Sequence, residues 1–413
     1  MKSSKAGGEG IWWTFLAIFP IVFLATATAR AQSNFFDLKA SGNGGPAINA
    51  SGPTLLKLLD NTIEEQNQFA ALRGTNLSGN LSWGGVPNAV QFGENAAQTS
   101  ASITIPSTGF SKTFTATSSN GLESQIRTFL EQDGASAYGA FIKSMDQTST
   151  VSSVDGNPQA ATAFLASDAF ERFGTNRTGT DDVMNAGDAL TFNVYGRGGY
   201  TTTSGLNGGY AQVGVEGMWK INDNVGLSLD TVGQYREVEG SEAYAVGETV
   251  GIPITFINRS GPGFSWTLTP WGMVALAASY DQVSGSILVG AGATSDVNYQ
   301  IQDWTFTVAD QASYAGDVAV VVDQYTFDTP VNQWIVKNGG ELTWNPWQKF
   351  LFLDGGIAYS VFVHKAAVPN YWTANGGVGI RVGRYSSLRV GYLGDFARDY
   401  HSNGGEASIT IAF

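Results

Sequence analysis

The C-terminal half of the chain, from about residue 188 to residue 413, is dominated by one repeating pattern. Stretches of 9–15 residues alternate between apolar and small or polar side chains, and a turn signal follows each stretch. Residues 190–197, 211–219 and 225–230 are examples, and the alternation continues to Phe413. A period of two residues is that of a β-strand. We expect about twelve strands, or ten to fourteen, because residues 240–260 and 283–300 could each hold or lack a hairpin.

The composition favours a β protein with two differently wetted faces. Only 14% of the residues are charged, while the chain contains 52 glycines and 12% aromatic residues. No long apolar run occurs outside the N-terminus, whereas a membrane-spanning helix needs about 20 consecutive apolar residues. Disorder is disfavoured as well, because disordered chains are poor in aromatic residues. The absence of cysteine excludes disulfides and thiolate-based zinc sites.

The first 31 residues have the features of a secretory signal peptide. Lys2 and Lys5 precede an apolar segment at residues 11–24, and Ala29-Arg30-Ala31 supplies a small-x-small cleavage pattern. An uncleaved membrane anchor is the alternative. Cleavage would remove three cations and one anion, which lowers the net charge of −13 by two units, to −15. An acidic exported chain is a poor candidate for binding nucleic acid, so we expect no such partner.

The connections between the predicted strands alternate in length. Short turns are predicted on the side of Phe413, at residues 221–224, 269–271, 309–312, 345–349 and 385–387. Mostly longer loops are predicted on the opposite side, at residues 201–208, 239–251, 280–294, 327–332, 365–371 and 398–404. Short turns at one rim and longer loops at the other are typical of transmembrane β-barrels.

Aromatic residues are predicted to form two girdles, one at each rim. Amphipathic aromatic rings favour the depth of the lipid headgroups, so two such bands indicate two membrane interfaces. The band nearer Phe413 comprises Trp219, Trp266, Trp271, Trp304, Trp344 and Trp347, and the opposite band comprises Tyr200, Tyr371, Trp372 and Tyr400.

The last residues resemble the C-terminal assembly signal of Gram-negative outer-membrane β-barrel proteins. Glu406, Ile411 and Phe413 match that pattern, while Ser408 stands where glycine is usual. The resemblance implies a mainly β fold, namely a closed antiparallel transmembrane β-barrel at residues 188–413, with the barrel assembly machinery as a partner. It also implies contact with outer-membrane lipid and lipopolysaccharide, extracellular long loops and periplasmic short turns. Closure is required because an open sheet edge cannot be satisfied in hydrocarbon. A soluble β-sandwich is the alternative.

If the apolar face contacts lipid, the other face lines the lumen. By parity this lumen-facing set is Arg197, Glu216, Asp230, Arg236, Lys337, Glu341, Asp354, His364, Arg381, Arg389, Asp395 and Glu406. These groups either line water or pair across a filled interior. About twelve strands enclose more space than their own side chains fill, so the interior could be a narrow pore or could hold a helix from the N-terminal half. We favour the pore, with little ion selectivity because the two signs nearly balance.

Residues 32–187 differ from the barrel and form a smaller α+β or helical region. Helices are predicted at residues 54–72, 121–132, 135–145 and 158–173, a hairpin at 99–105 and 111–117, and a linker at 174–188. This region could be a periplasmic domain, a plug inside the barrel or a secreted passenger.

The sequence contains no recognisable catalytic constellation. His364 and His401 are the only histidines, and both are predicted near the long-loop rim. Ser360 faces the same way as His364, but four residues along a strand span about 13 Å, too far for a nucleophile–base pair. The glycine-rich residues 289–294 open no helix and lack the lysine of a phosphate loop. We expect neither a metal nor a cofactor.

The sequence therefore predicts an outer-membrane channel for passive diffusion of small solutes, with the N-terminal region plugging, gating or anchoring it. One alternative is an autotransporter-like translocator with residues 32–187 as a short passenger. Another is an outer-membrane enzyme that uses a rim histidine. Passive pores of this class are often trimers, so a homo-oligomer is possible by analogy.

Overall fold

The computed structural model describes residues 34–54, 57–58, 71–129, 134–175, 190–257, 263–282, 284–318, 320–322, 325–327, 331–347, 350–382 and 386–413. The predicted signal peptide, most of the predicted helix at 54–72 and most of the predicted linker lie outside these residues.

The N-terminal region forms a six-stranded antiparallel sheet with two helices. The strands are β1 (Phe36–Gly42), β2 (Ile48–Gly52), β3 (Leu77–Trp83), β4 (Val86–Glu94), β5 (Ser100–Ile105) and β6 (Phe110–Thr115), in the order β2-β1-β3-β4-β5-β6. The helices are α1 (Ser119–Thr128) and α2 (Gly134–Thr148). We call this unit the N-terminal sheet domain. The predicted hairpin is β5–β6 and the two predicted helices are α1 and α2, whereas β1 to β4 were not predicted.

The C-terminal half is a closed antiparallel barrel of twelve strands within the described residues. They are β7 (Leu190–Thr203), β8 (Leu206–Lys220), β9 (Gly226–Val238), β10 (Ser241–Gly251), β12 (Phe264–Ser279), β13 (Ser284–Ile301), β14 (Trp304–Val318), β17 (Asn332–Trp347), β18 (Leu351–Phe362), β19 (Asn370–Arg381), β20 (Ser386–Ala397) and β21 (Tyr400–Ala412). Each pairs with the next, β10 pairs with β12, and β21 returns to β7, which closes the ring. Short strands β11 (Ile254–Ile257), β15 (Val320–Val322) and β16 (Tyr325–Phe327) are accessory.

Closure joins the last strand to the first along their whole length. Glu406 lies opposite Arg197, and the Phe413 amide donates a hydrogen bond to the Leu190 carbonyl at 2.9 Å. The rim that contains Phe413 is called the Phe413 rim, and the other is called the far rim. No strand edge is left between β7 and β21, as a lipid-facing sheet requires.

The two faces of the barrel wall differ in the way that the alternation predicts. Apolar side chains such as Val213, Leu276 and Val308 are about half exposed on the outside. Polar and charged side chains such as Glu216, Asp230 and Lys337 are no more than 1% exposed on the inside. Among the described residues, no helix is both long enough and apolar enough to cross a bilayer.

The predicted difference in loop length between the rims is wrong. Three connections at the far rim, residues 204–205, 239–240 and 398–399, contain only two residues. The predicted turns at 269–271 and 309–312 lie inside β12 and β14, and the predicted loops at 239–251 and 280–294 are largely the strands β10 and β13. Pro270 does not end β12. The pairing of β12 with β10 already ends at Trp271, so the missing N–H of Pro270 costs that strand pair little.

The N-terminal sheet domain packs on the far rim. Its core contains Phe36 and Trp83 from the sheet and Phe141 from α2, and the same cluster includes Leu206 and Val238 of the barrel. These two barrel residues flank the two-residue turns at 204–205 and 239–240. A third helix, α3 (Ala161–Phe173), leaves this domain and enters the barrel.

Candidate functional site in the barrel lumen

The lumen is occupied by α3. Twelve of its thirteen residues are buried, and the helix contacts β10, β12, β13, β14 and β17. Thirteen helical residues span about 20 Å, which is most of the thickness of a membrane core. Of the two alternatives that the sequence leaves open, a pore or a helix in the lumen, the structure has the helix.

The sequence of α3 favours a helix, and hydrogen bonds hold its two ends. Alanine, leucine, phenylalanine, glutamate and arginine fill most of it, and several of these are strong helix formers. At the start, Thr162 donates from its hydroxyl to Asp155 Oδ1 at 2.7 Å. At the end, the Gly174 amide donates to the Phe170 carbonyl at 2.7 Å. The helix begins three residues later than the predicted segment at 158–173, because Pro158 lies in the preceding turn.

One side of α3 is apolar and packs against apolar residues of β12 and glycines of β10. Leu165 and Phe173 belong to a buried cluster with Trp271, Met273 and other residues of β12. Glycines on β10 make room for the two helix side chains. A Cβ at Gly247 would lie 2.5 Å from Leu165 Cδ2, and a Cβ at Gly251 would overlap the Phe173 ring. The wall is thus shaped to the helix, because any larger residue at Gly247 or Gly251 would displace it.

The other side of α3 carries charge into the lumen. Arg172 Nη2 lies 3.3 Å from Asp168 Oδ2 and 3.3 Å from Asp230 Oδ2, and Arg172 Nε lies 3.7 Å from Glu216 Oε1. All four side chains are at most 6% exposed. Buried ion pairs add little net stability, but removal of one partner is costly because it strands a charge without water. Arg172 is therefore the cation that Glu216 and Asp230 share, whereas Asp168 also lies 3.8 Å from Arg197 Nη1.

A second group of charges continues the network around the barrel seam. Arg197 on β7 pairs with Glu171 of α3 and lies 3.4 Å, Nε to Oε2, from Glu406 on β21. Arg389 on β20 pairs with Glu406 and donates from Nε to Asp354 Oδ2 at 2.8 Å. The network, from Arg172 to Arg389, joins six carboxylates to three guanidiniums.

Further hydrogen bonds from the wall hold the helix along its length. Gln311 Nε2 donates to the Ala166 carbonyl at 2.7 Å, and Lys337 Nζ donates to Ser167 Oγ at 3.0 Å. The Tyr195 hydroxyl donates to Asp168 Oδ1 at 2.7 Å. Bonds from several strands to one helix give it a single position in the lumen.

The segment before α3 is anchored at the far rim. The Val368 amide donates to the Gly156 carbonyl at 2.9 Å, and Arg236 Nη1 donates to the Ser152 carbonyl at 2.9 Å. Ser152 Oγ in turn donates to Asp146 Oδ1 of α2 at 2.6 Å. Burial raises the pKa of Asp146 to about 7, and burial also raises the pKa of Asp155.

The structure places most of the predicted lumen residues on the inner face. The buried ones are Arg197, Glu216, Asp230, Arg236, Lys337, Glu341, Arg389, Asp395 and Glu406, and the Asp354 side chain is buried too. Arg381 is half-buried and donates to Asn345 Oδ1 at 2.9 Å. His364 is a correction, because β18 ends at Phe362 and His364 lies exposed in the rim loop 363–369.

Three predicted girdle residues face the interior instead of the lipid. Trp271, Tyr371 and Tyr400 are at most 4% exposed, so their assignment to the girdles is wrong. Trp271 Nε1 donates to Thr294 Oγ1 inside the barrel at 3.0 Å, and the Tyr371 hydroxyl lies 3.2 Å from Ser167 Oγ of α3. Their parity on continuous strands turns them inward.

The remaining aromatic residues lie on the outside or near the rims. Trp304 and Trp344 stack with their ring centroids 5.3 Å apart, and Trp372 is exposed near the far rim. Trp219 and Tyr200 are exposed, Trp266 is half-buried and stacks on Phe256, and the side chain of Trp347 lies outside the described residues. Of the assembly-signal residues, Ile411 is half-buried and Phe413 is exposed.

The charged residues of α3 that contact the inner face of the barrel were not among the predicted site residues. Asp168, Glu171 and Arg172 lie within an otherwise apolar segment, three and four residues apart. That spacing puts Asp168 beside Glu171 and Arg172 on one helical face. A charged face on an otherwise apolar helix could have indicated that this helix lies against a polar surface.

The chain is remotely similar in structure to known proteins with β-barrels. The translocator domain of the autotransporter NalP from Neisseria meningitidis matches with a TM-score of 0.44 and 11% identity, covering 61% of this chain and 98% of that chain. The β domain of the Bordetella autotransporter Brka matches with a TM-score of 0.37 and 9% identity over 55% of this chain and 100% of that one. A Pseudomonas aeruginosa FadL homologue matches with a TM-score of 0.32 and 10% identity over 55% and 90%. No protein-family model and no curated protein matches the sequence.

Proposed function

We propose that the chain is an outer-membrane barrel that displays its own N-terminal sheet domain outside the cell. The helix α3 remains in the lumen as the connecting segment. The observation that carries this proposal is the path of the chain. The N-terminal sheet domain lies on the far rim, and α3 runs from that rim down to Gly251, the last residue of β10 at the Phe413 rim.

The direction of display depends on which rim faces the periplasm. The first barrel strand starts at the Phe413 rim, where Leu190 meets Phe413. The resemblance of the C-terminal residues to an assembly signal implies that this rim is periplasmic. The chain then crosses the membrane through α3, and both the end of α3 and the start of β7 lie at the Phe413 rim. This arrangement leaves the N-terminal sheet domain on the extracellular side.

Cysteine labelling on intact Gram-negative cells tests the proposal directly. The chain has no cysteine, so a single introduced thiol reports on one position. Ser107→Cys lies at the exposed tip of the β5–β6 hairpin, and the matched control Asp223→Cys lies in the exposed turn at the Phe413 rim. The probe is a polyethylene-glycol maleimide too large to cross the outer membrane.

We expect Ser107→Cys to be labelled on intact cells, and Asp223→Cys to be labelled only after the outer membrane is permeabilised. The reverse pattern would place the domain in the periplasm and overturn display. Failure of the chain to fractionate with the outer membrane would overturn the barrel assignment itself.

A second candidate function is a channel that α3 closes. The polar inner wall favours it, because Glu216, Asp230 and Lys337 would face water if the helix left. Passive diffusion of small solutes then requires displacement of α3. Planar-bilayer recordings test this by comparison of the mature protein with a version that begins at Asn185. Steady currents from both would favour an open pore, currents from the shortened form alone would favour a plug, and silence from both folded forms would exclude a channel.

A further inference from the structure

A hydrogen-bonded polar pair lies at mid-height on the largely apolar outer wall. Asp310 on β14 and Asn338 on β17 are cross-strand partners, both are exposed, and Asn338 Nδ2 donates to Asp310 Oδ1. In the described part of the chain these side chains bond only to each other.

Two aromatic pairs on the same two strands show the depth of this polar pair. Trp304 lies opposite Trp344 towards the Phe413 rim, and Tyr314 lies opposite Trp334 towards the far rim. Asp310 is six residues from Trp304 and four from Tyr314, which is about 20 Å and about 13 Å along the strand. Aromatic bands mark the two interfaces of a membrane protein. If the barrel spans a bilayer, Asp310 and Asn338 therefore face its hydrocarbon core.

Such a position is unfavourable for an isolated carboxylate. A charged side chain on the lipid face of a barrel costs most at the midplane, and ionisable groups there are a sign of function. The lysines and arginines on the described barrel strands lie on the inner face, apart from Lys220 at the Phe413 rim, which pairs with Asp223. Within the wall, Asn338 Nδ2 donates to Asp310, and Ser295 lies opposite Asp310 on β13, where its Oγ accepts a hydrogen bond from Trp266 Nε1.

The pair is self-complementary. An asparagine amide has two N–H donors, and only one is used by Asp310 within the chain. A two-fold axis through the pair would bring the second donor of each Asn338 to the Asp310 of the other copy, as an isologous contact requires. The outward positions on the β13 side are small: Ser295 lies opposite Asp310, and Ala293 lies opposite Ala312 two residues further along. A Cβ at Gly340 would meet only the Thr307 carbonyl oxygen, whereas Tyr359 lies opposite Asn338 on β18. Small residues let two membrane walls approach closely.

We propose that this patch of β13, β14 and β17, centred on Asp310 and Asn338, is the dimerisation surface of the barrel for a second copy of the chain. The proposal rests on the membrane location given above. It assigns a surface to the homo-oligomer that the sequence analysis suggested only by analogy.

The test compares the purified full-length protein with a double variant, Asp310→Leu with Asn338→Leu, in lipid nanodiscs and in detergent. Leucines on a lipid face are compatible with folding, so the variant is expected to keep its heat-resistant folded form. The matched control is Glu248→Leu, because Glu248 is the other exposed acid at mid-height but its cross-strand neighbours are Thr231 and Val274, not an amide. Sedimentation and native mass spectrometry give the oligomeric state.

We expect dimers for the wild type and for Glu248→Leu, and monomers for the double variant at concentrations where the wild type is half dimeric. Two symmetry-related membrane hydrogen bonds correspond to roughly a tenfold change in the dissociation constant. A wild type that is monomeric throughout, or a double variant that dimerises equally well, would overturn the proposal.

Disulfide cross-linking in cell membranes gives an independent measurement. Ala312→Cys lies beside the patch, and Val213→Cys lies outward on β8, five strands away around the ring. We expect a cross-linked dimer only for Ala312→Cys, and equal cross-linking at the two positions would count against the surface. Flotation with vesicles separates the two hypotheses, since a chain that does not float fails the proposed function, whereas a floating monomer fails only this inference.

Discussion

Arg172 of the lumen helix and Asp230 of the barrel wall lie 3.3 Å apart, Nη2 to Oδ2, and both side chains are at most 3% exposed. This ion pair joins the N-terminal half of the chain to the barrel inside the lumen. Loss of either partner leaves a buried charge unpaired, so the pair is a sensitive point of the plug.

Arg172→Leu should loosen the helix in the lumen. The change leaves Glu216 and Asp230 without their cation, while Asp168 keeps Arg197 at 3.8 Å, and removal of one partner of a buried pair costs about 3–5 kcal/mol. We expect a lower denaturant midpoint and flickering currents in planar bilayers where the wild type is silent. Arg127→Leu is the control, because Arg127 and Glu123 form an exposed pair and its loss should leave both measurements unchanged. Wild-type behaviour of Arg172→Leu would show that the ion network does not hold the plug.

Gly251→Ala should disturb the fit between β10 and the end of α3. The new methyl group would overlap the Phe173 ring, and overpacking of a filled core costs about 1–3 kcal/mol. Thermal unfolding should show the loss, and Phe173→Ala in the same chain should cost less than the two changes added together. Gly233→Ala is the matched control on β9, since no atom lies within 4 Å of its added Cβ. Equal stability of the two alanine variants would contradict this account of the groove.

The N-terminal sheet domain should become less stable as the pH rises from about 4 to about 7. Asp146 has a pKa near 7 in the folded state because burial disfavours its charge, against 3.8 as the ordinary value. Between these values the folded state holds a proton that the unfolded state has lost, so the free energy of unfolding falls with pH. Asp155, which faces Asp146 and is itself near His364, acts in the same direction because its pKa is also raised.

Hydrogen exchange of the α2 amides, corrected for the intrinsic effect of pH, measures this dependence. Asp146→Asn should weaken the pH dependence and stabilise the domain at pH 8 by roughly 2–4 kcal/mol. Glu123→Gln, at an exposed position of α1, should leave the profile as in the wild type. A flat wild-type profile would refute a raised pKa at Asp146.

Phe413→Ala should impair assembly in cells more than stability in vitro. Phe413 is 65% exposed, and its aromatic neighbour is the Phe192 ring at a centroid distance of 6.1 Å. Such a contact contributes about 0.5–1.5 kcal/mol, so the refolded protein should lose little stability. If Phe413 belongs to an assembly signal, the amount of folded barrel in the outer membrane should drop severalfold. Equal losses in cells and in refolded protein would make its role structural.

The strand pattern predicted the barrel because its two faces differ along almost every strand. It did not predict β1 to β4, since segments such as Leu77–Trp83 dilute the alternation with serine, asparagine and glycine. The lumen-facing charges followed from parity on the strands, whereas their partners on α3 did not, because no local pattern links residue 172 to residues 216 and 230.

The aromatic residues wrongly assigned to the girdles show that facing direction depends on the bounds of each strand. Trp266 and Trp271 are five residues apart, so they face opposite sides of a continuous strand and could share a face only across a turn. Tyr400 and Glu406 are six apart on β21 and must share a face, which turns Tyr400 inward once Glu406 is in the lumen. These constraints became visible only when the strand bounds were known.

By itself, the sequence determined that about twelve alternating strands would close into a barrel, because period-two alternation is a local property and an open edge is costly in lipid. Only the tertiary structure decided that α3 fills the lumen and that Arg172 meets Asp230 there. That outcome depends on the shape of a cavity built from twelve strands and on small residues such as Gly247 and Gly251, whose role exists only when distant segments come into contact.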